Sequence, residues 1–276
     1  MFKNVIQSIS GAARLLFGNW RVLLVFLFLY ASLLATIYWF IATREANIPQ
    51  LLLTLVLPLL APVLFFIIQT MAVNYSSGDA KVSGLVRLSL RGFWKLALIT
   101  VPVILLAWLI IYLLGKLEPE APAVARDAVR AVTGSGRSPA RAAAQPIQWR
   151  DVMLAAAWYL LLGVVLPLTA VHLWIGAARD GIGKTLKRTG RSLIRAFRPS
   201  SVLIYAIGAL VFAVIPWLLV MNRTSSKSPW VEVGLLGIRL VVAASLLLFG
   251  WLVTLGALRL NSPGESVPES SPVNTP

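Results

Sequence analysis

A short glycine-rich run is the feature of this sequence that comes nearest to a known ligand-binding motif. Gly181 to Thr185 reads Gly-Ile-Gly-Lys-Thr, which ends like a nucleotide-binding phosphate loop. The full motif needs another glycine five positions before Gly183, where Ala178 stands, and a β-strand in front of it. Here a long apolar run precedes the motif instead. The run therefore does not predict a nucleotide site.

His172 is the only histidine, and the sequence has no cysteine. A metal site needs several ligands, and no second histidine or thiol is available to provide them. Two interpretations remain for His172: a polar side chain packed between helices or near lipid headgroups, or a member of a proton relay. We predict no catalytic residue, no metal ligand and no cofactor, and we expect that the chain is not an enzyme.

The composition indicates a membrane protein, since 58% of the residues are hydrophobic and only 13% are charged. Soluble domains carry about 25% charged residues. Six runs without Asp, Glu, Lys or Arg are each about as long as the roughly 20 residues that a helix needs to cross a bilayer. They lack the alternation of barrel strands, so they predict helices. The predicted spans are 20–43, 48–74, 95–115, 150–178, 201–221 and 233–258.

These spans predict an all-α, polytopic membrane protein. Its six transmembrane helices would form three hairpins, each preceded by a short amphipathic helix in the membrane interface. We expect an amphipathic segment over 1–19, a transmembrane domain over 20–260 and a disordered tail over 261–276, where proline and serine are frequent. The longest loop, 116–149, would be extracytoplasmic, and the basic segments 75–95 and 179–198 would be cytoplasmic.

The basic segment 179–198 has the clearest amphipathic pattern. At 100° per residue, Ile182, Leu186 and Phe197 fall on one side of a helix, within about 60° of one another, and the basic residues fall on the other. This pattern is typical of a helix that lies in the membrane interface with its cations at the headgroups. We predict headgroup contacts for the following residues: Arg87, Arg91, Lys184, Lys187, Arg188, Arg191, Arg195 and Arg198.

The net charge of +15 could also suggest nucleic acid as a partner. The basic residues flank membrane spans, however, where anionic lipid is the nearer partner and contributes about 1 kcal/mol for each Lys or Arg. We expect the partners to be membrane lipids with anionic headgroups on the cytoplasmic face, and no nucleic acid.

A repeat links the two basic segments. Arg87-x-x-x-Arg91-x-Phe93 recurs as Arg191-x-x-x-Arg195-x-Phe197, in both cases just before a span. The N-terminus shows only the outline of a third copy. The pattern predicts parallel repeats related by an axis along the membrane normal.

The distribution of basic residues predicts the orientation, because Lys and Arg near span ends favour the cytoplasm. With the N-terminus inside, fifteen of the 25 Lys and Arg residues lie on the inner side and nine on the outer side, with Arg239 left aside. We expect both ends in the cytoplasm of a bacterium and the chain in its cytoplasmic membrane.

Prolines and polar residues in the second and fourth spans allow two interpretations. Pro58, Pro62 and Gln69 share a face of the second span, and Pro167 and His172 lie in the fourth. They could line a solute path along a discontinuous helix, or mark kinks packed against neighbouring helices, with Gln69 hydrogen-bonding across.

With no catalytic constellation found, the sequence favours a non-enzymatic membrane scaffold, assembly or lipid-interacting component. The alternative is a small-solute permease or channel built from the hairpin repeats. The near absence of charge inside the spans argues against an ion-coupled carrier, although a carrier of neutral solutes would not need such charge.

Overall fold

The computed structural model describes residues 1–43, 47–75, 82–117, 149–222 and 228–262, and the regular structure in these ranges is helical. Most of the predicted loop 116–149 and most of the tail 261–276 lie outside the described residues. In chain order the helices are α1 (Phe2–Gly18), α2 (Trp20–Ala42), α3 (Ile48–Tyr75), α4 (Val82–Leu117), α5 (Trp149–Leu160), α6 (Leu166–Asp180), α7 (Ile182–Lys187), α8 (Thr189–Ala196), α9 (Pro199–Ala209), α10 (Ile215–Met221) and α11 (Pro229–Asn261).

Six helical stretches of the described chain are long and apolar enough to cross a membrane. This confirms the all-α fold class and the six predicted spans as helices. Many large apolar side chains on them, such as Phe28, Leu59 and Val241, are mostly exposed, which is the expected arrangement where hydrocarbon rather than water surrounds a helix. The six stretches are Trp20–Ala42, Ile48–Tyr75, Val82–Leu117, Val152–Asp180, Pro199–Met221 and Pro229–Asn261.

The predicted short helix before the third span is not a separate element. One helix, α4, runs from Val82 to Leu117. Its buried residues follow one another at steps of three and four, which is the repeat of a single packed helical face. Because this buried face continues past residue 95, the more polar residues before 95 and the apolar residues after it belong to one continuous helix. The residues of the face are Leu85, Ser89, Leu96 and Ile99, with the half-buried Gly92 between them.

The segment 179–198 also differs from the single amphipathic helix that was predicted. The chain turns at Gly181, whose φ is +80°, and breaks again at Arg188 between α7 and α8. The predicted apolar face is not fully covered by protein, since Leu186 is 52% and Phe197 43% exposed. Ile194 is 71% exposed, whereas Ala196 is fully buried.

Two wide π-helical turns interrupt the fourth and fifth long helices. Leu161–Val165 joins α5 to α6, and Leu210–Val214 joins α9 to α10. Each turn ends two residues before a proline, Pro167 or Pro216. Proline removes an amide donor and clashes with the carbonyl four residues earlier, so the wide turn relieves the backbone at the place where the α-helical pattern fails.

The described residues form two compact units, and the larger one comprises residues 1–99 together with 168–276. Its core is made by the C-terminal parts of three long helices, where residues are buried on nearly all sides. These parts are residues 67–73 of α3, 168–177 of α6 and 252–258 of α11.

Helix α1 packs on this core. Val5, Ala12 and Leu16 are buried, and the Tyr75 hydroxyl donates a 2.5 Å hydrogen bond to the Leu15 carbonyl. Phe2, about one turn before Val5, is exposed. One stripe of α1 therefore packs against protein, and the apolar Phe2 beside it is not covered by the described residues.

Helices α9 and α11 approach one another closely through small residues. A Cβ on Gly208 would clash with the Thr254 hydroxyl oxygen, and one on Gly250 would lie 3.0 Å from the Cβ of Phe212, in the wide turn that follows α9. Such contacts between small residues stabilise helix pairs in membranes, where the hydrophobic effect does not drive association.

The smaller unit comprises residues 100–167. Within it, Trp108 and Tyr112 stack with ring centroids 6.0 Å apart, and the Lys116 ammonium lies 4.8 Å from the Tyr112 ring centre. The Arg150 guanidinium donates a 3.0 Å hydrogen bond to the Leu117 carbonyl. Aromatic rings with cations at a span end are typical of the boundary between hydrocarbon and water.

The last helix begins at Pro229, earlier than the predicted residue 233. This places Arg239 more than two turns inside the helix. Its guanidinium donates to the Asn222 carbonyl, directly after the end of α10. The Arg239 guanidinium therefore lies level with the C-terminal end of α10.

Candidate anion-binding cleft

A polar cleft lies in the larger unit where α6 ends, where α7 and α8 fold back, and where α11 ends. Its free volume is about 50 Å³. It differs from the rest of the unit's core because charged and hydroxyl side chains form much of its wall. The lining residues are His172, Ile175, Gly176, Arg179, Asp180, Thr185, Arg188, Ser192, Arg195 and Ser262.

Two glycines and a threonine create the cleft. Gly181 adopts a positive φ of 80°, which L-residues with a side chain rarely adopt, and this turns the chain back from α6 into α7. The Thr185 hydroxyl then donates a 2.8 Å hydrogen bond to the Gly181 carbonyl. A Cβ on Gly176 would lie only 3.0 Å from the Thr185 Cγ2. The close contact holds α7 against α6.

The cleft has an excess of positive charge. Three guanidinium groups line it, those of Arg179, Arg188 and Arg195, and Asp180 is the one carboxylate among the described residues of its wall. The contact between Arg179 Nε and the Asp180 carboxylate is 3.9 Å, and both side chains are more than a third exposed. An ion pair of this length and exposure contributes little. Among the described residues of the wall, guanidinium groups therefore outnumber carboxylates.

His172 lies at the floor of the cleft and is 6% exposed. Its Nδ1 lies 3.0 Å from the Leu168 carbonyl oxygen, one turn earlier in α6. When Nδ1 carries the proton of this bond, Nε2 is the ring nitrogen available to a ligand. The charge of Arg195 lies close enough to act on the ring.

Arg259 adds a further cation beside the cleft. Its Nη1 is buried and has no hydrogen-bond partner among the described residues, and the charge of Arg179 lies close enough to repel it. The backbone carbonyl of Arg259 accepts from the Ser262 amide at 3.0 Å, which connects it to the cleft wall. Buried polar atoms without a partner are rare in native structures and need an explanation, such as an ion or a water.

The predicted headgroup residues fall into two groups. Arg188 and Arg195 line the cleft. The side chains of Lys184, Lys187 and Arg198 are exposed outside it. Arg87 and Arg91 are exposed on α4, and the side chain of Arg191 lies outside the described residues.

Of the five predicted path or kink positions, His172 alone belongs to the cleft. Pro58 and Pro62 are exposed on α3, and Pro167 belongs to the smaller unit. Gln69 is buried, and its Oε1 accepts a 2.8 Å hydrogen bond from the Trp251 indole. This bond joins α3 to α11.

Aromatic rings pack between the second and fourth long helices. The Trp174 ring centroid lies 6.2 Å from that of Phe65 and 6.5 Å from that of Phe66. These rings occupy part of the space where a solute path along α3 and α6 would run.

Sequence reasoning missed Arg179, Arg259 and the hydroxyl residues of the cleft. Arg179 and Arg259 carry a signal, since each directly follows an apolar span, but nothing local shows that Arg179 comes close to Arg195. That proximity depends on the turn at Gly181.

No protein-family model, no curated protein and no solved structure matches the chain. The function is therefore inferred from the residues themselves.

Proposed function

We propose that this chain is a non-enzymatic, multi-pass component of a bacterial cytoplasmic membrane that binds anionic lipid headgroups on the cytoplasmic face. It would work as a scaffold, an assembly factor or a lipid-organising component, with both ends in the cytoplasm. Six apolar helices support the membrane location.

The clustering of cations at one end of the larger unit carries this proposal. The end of α3 contacts α1 there through Tyr75 and Leu15, and the end of α11 contacts the start of α9 through Asn261 and Ser200. The cleft joins the end of α6 to α7, α8 and Ser262. Lys184 and Lys187, which are exposed on α7, lie beside the cationic cleft at this end. Anionic headgroups are the most abundant partner for such a surface at the membrane.

Charge removal tests the proposal. The triple variant Arg188→Gln/Arg191→Gln/Arg195→Gln should lose about 3 kcal/mol of the stabilisation that anionic lipid gives, at about 1 kcal/mol per cation. The measurement compares unfolding midpoints in nanodiscs of phosphatidylcholine with and without phosphatidylglycerol. The matched control, Arg126→Gln/Arg130→Gln/Arg137→Gln, removes the same charge from the loop 116–149 and should keep the lipid effect. An equal loss in both triple variants would contradict the proposal.

A small-solute permease is the second candidate, and the two wide turns ahead of Pro167 and Pro216 favour it. Such turns often occur at functional sites in helices. Solute flux into liposomes tests this candidate directly. Flux that depends on the reconstituted chain would favour the permease over the scaffold.

A further inference from the structure

We propose that the larger unit holds one acyl chain of an anionic phospholipid in an apolar groove. The groove lies between α1 and the last two membrane-spanning stretches, and it shares no lining residue with the cationic cleft. The inference goes beyond the proposed headgroup binding, because it gives the hydrocarbon part of a lipid a site of its own. The residues that line the groove include Ile9, Phe17, Ile207, Val211, Phe249 and Val253.

The position of the groove decides which medium fills it. Its walls belong to Pro199–Met221 and Pro229–Asn261, two of the stretches that are long and apolar enough to cross a membrane. Ile207, Val211 and Val253 are only half-buried, so the described residues do not cover the groove completely. In the membrane the medium around such helices is hydrocarbon. Lipid chains therefore have direct access to the groove.

The groove offers nothing that would hold water in place of a chain. Thr254 is the one polar side chain in its described lining, and its hydroxyl already donates a 2.6 Å hydrogen bond to the Gly250 carbonyl. A water molecule needs two to four polar partners, and an apolar cavity without them stays dry. An unfilled groove would leave its walls without dispersion contacts. Hydrocarbon is therefore the occupant that stabilises it.

The size of the groove fits one chain. Its free volume is about 300 Å³. An apolar cavity of about 150 Å³ takes up one benzene molecule, so this groove has room for roughly a dozen carbon atoms. That is a large part of one phospholipid chain. One turn of a leucine-rich helix, at about 3.6 residues, already contains roughly twenty carbon atoms, so the groove does not enclose a partner helix.

Helix α1 extends the groove with an open apolar stripe. At about 100° per residue, the stripe spans about 80° of the helix surface, next to the packed stripe of Val5, Ala12 and Leu16. Two of its members, Phe2 and Ile6, are more than half exposed. The residues of the open stripe are Phe2, Ile6, Ile9 and Phe17.

Cations border this stripe on its far side. Lys3 and Arg14 lie about 120–140° from Ile9 around the helix, and both side chains are exposed. A phospholipid whose chain follows the stripe into the groove would have its phosphate within reach of these two cations. An anionic headgroup is the one that such a surface favours.

Cross-linking of the unsubstituted chain tests the inference. The chain is reconstituted with phosphatidylglycerol that carries a diazirine on one acyl chain, extracted in mild detergent, irradiated and mapped by mass spectrometry. Only retained lipid is then labelled. Cross-links should concentrate at Ile207 and Val253 and be rare at Ile238, which is 63% exposed on the part of α11 outside the groove.

Filling the groove should displace the lipid. In Ile207→Trp the fraction of chains that retain phosphatidylglycerol, counted by native mass spectrometry, should fall at least about threefold, since the lipid loses its dispersion contacts with the filled wall. The matched control Ile238→Trp places the same ring on an exposed part of α11 and should retain lipid like the parent. Val253→Phe fills the groove from the opposite wall and should act like Ile207→Trp.

A charge variant tests the headgroup contact. Lys3→Gln/Arg14→Gln should lower the ratio of retained phosphatidylglycerol to phosphatidylcholine at least about fivefold, since one cation near the headgroups contributes about 1 kcal/mol, which is about fivefold. The total amount of retained lipid should stay the same. An unchanged ratio overturns the assignment of an anionic lipid.

Three further results overturn the inference. They are cross-links spread evenly over exposed positions, equal retention in Ile207→Trp and the parent, and equal loss in Ile207→Trp and Ile238→Trp. If Ile207→Trp converts a dimer into monomers without changing retention, the occupant is a second copy of the chain.

The proposed headgroup binding can fail separately. The cleft variant Arg188→Gln/Arg191→Gln/Arg195→Gln leaves the groove intact, so the cross-links at Ile207 and Val253 should persist in it. Persistence supports a groove that works independently of the cleft. Loss of these cross-links in the cleft variant overturns the groove as a separate site.

Discussion

Single small residues decide how closely the helices of the larger unit approach. At Gly208 and Gly250 even one methyl group meets the facing helix, and Thr254 fills the space opposite Gly208. The Thr254 hydroxyl donates to the Gly250 carbonyl one turn earlier, so its polar atom is satisfied within its own helix. The close contact at Gly208 therefore depends on how the side chains fit together, because the Thr254 hydroxyl is bonded within its own helix.

Gly208→Ala should lower the free energy of unfolding by about 1–3 kcal/mol, the usual cost of overpacking. The new Cβ would clash with the Thr254 hydroxyl oxygen, so the helices must separate. Chemical denaturation in detergent or bicelles measures this loss.

Gly234→Ala is the matched control, because a Cβ at Gly234 meets nothing within 4 Å. It should leave stability unchanged or raise it slightly, since alanine favours helix. The double variant Gly208→Ala/Thr254→Ala should recover part of the loss. If Gly208→Ala is as stable as Gly234→Ala, the close contact is not present in the membrane.

Gln69 shows how a polar residue in a span is satisfied by protein. It is 3% exposed, and its partner Trp251 also packs edge-to-face on Phe212, with ring centroids 5.2 Å apart. Lipid offers no hydrogen-bond partner, so the bond fixes the register of α3 against α11. The sequence left open whether Gln69 lines a path or packs between helices, and its geometry here is that of a packed residue.

At the scale of the element, α1 packs on the core of the larger unit. Its buried residues Val5, Ala12 and Leu16 lie on one stripe, and the Phe17 ring centroid is 5.6 Å from that of Phe249, three turns before the end of α11. A helix held in this way contributes to the stability of the unit as well as to lipid contact.

Leu16→Ala should destabilise the chain by about 2–5 kcal/mol, the usual range for a buried leucine. Leu16 is 3% exposed and lies near Phe26 and Leu252. The control Ile6→Ala removes a similar side chain from the same helix, where Ile6 is 58% exposed. Thermal unfolding in nanodiscs distinguishes them, and equal midpoints would mean that α1 does not pack on the unit.

Hydrophobicity predicted where the spans lie but not where their helices begin. The observed α4 begins thirteen residues before the predicted start at 95, since its inward face there consists of Leu85, Ser89 and Gly92. Small and polar side chains pack well but give no apolar periodicity. A composition-based boundary therefore marks the edge of the apolar run and divides one continuous helix into two predicted elements.

Part of the cleft could be predicted from the sequence, and part could not. The cationic character of Arg188 and Arg195 follows from the sequence, because both occur in a basic segment beside a span. That these two residues converge with His172 and Arg179 does not follow from the sequence, because a helical projection assumes an unbroken helix. The turn at Gly181 and the break at Arg188 violate that assumption.

At the scale of the molecule, the larger unit is asymmetric along its helices. Its buried core lies at the C-terminal ends of α3, α6 and α11, whereas the N-terminal parts of α3 and α11 are exposed and apolar. The cationic cleft is at the core end. Basic residues favour the cytoplasmic side, so this end is the one expected to face the cytoplasm.

The absence of cysteine makes the orientation testable with single labels. Ser226→Cys, in the loop after Asn222, should react with a membrane-impermeant maleimide in intact bacterial cells. Ser270→Cys, near the C-terminus, should react only after the membrane is opened, and the cysteine-free parent should not react at all. Labelling of Ser270→Cys in intact cells would reverse the predicted topology.

The unbroken start of α4 has a mechanical consequence. From Val82 to Val101 no proline interrupts the helix, and the first is Pro102. These twenty residues form a stiff rod of about 30 Å at about 1.5 Å per residue. Arg87 and Arg91 cannot settle onto a surface without moving the buried Leu96 and Ile99 with them. A displacement of the two cations along the helix axis would therefore disturb the packing around Leu96 and Ile99 in the larger unit.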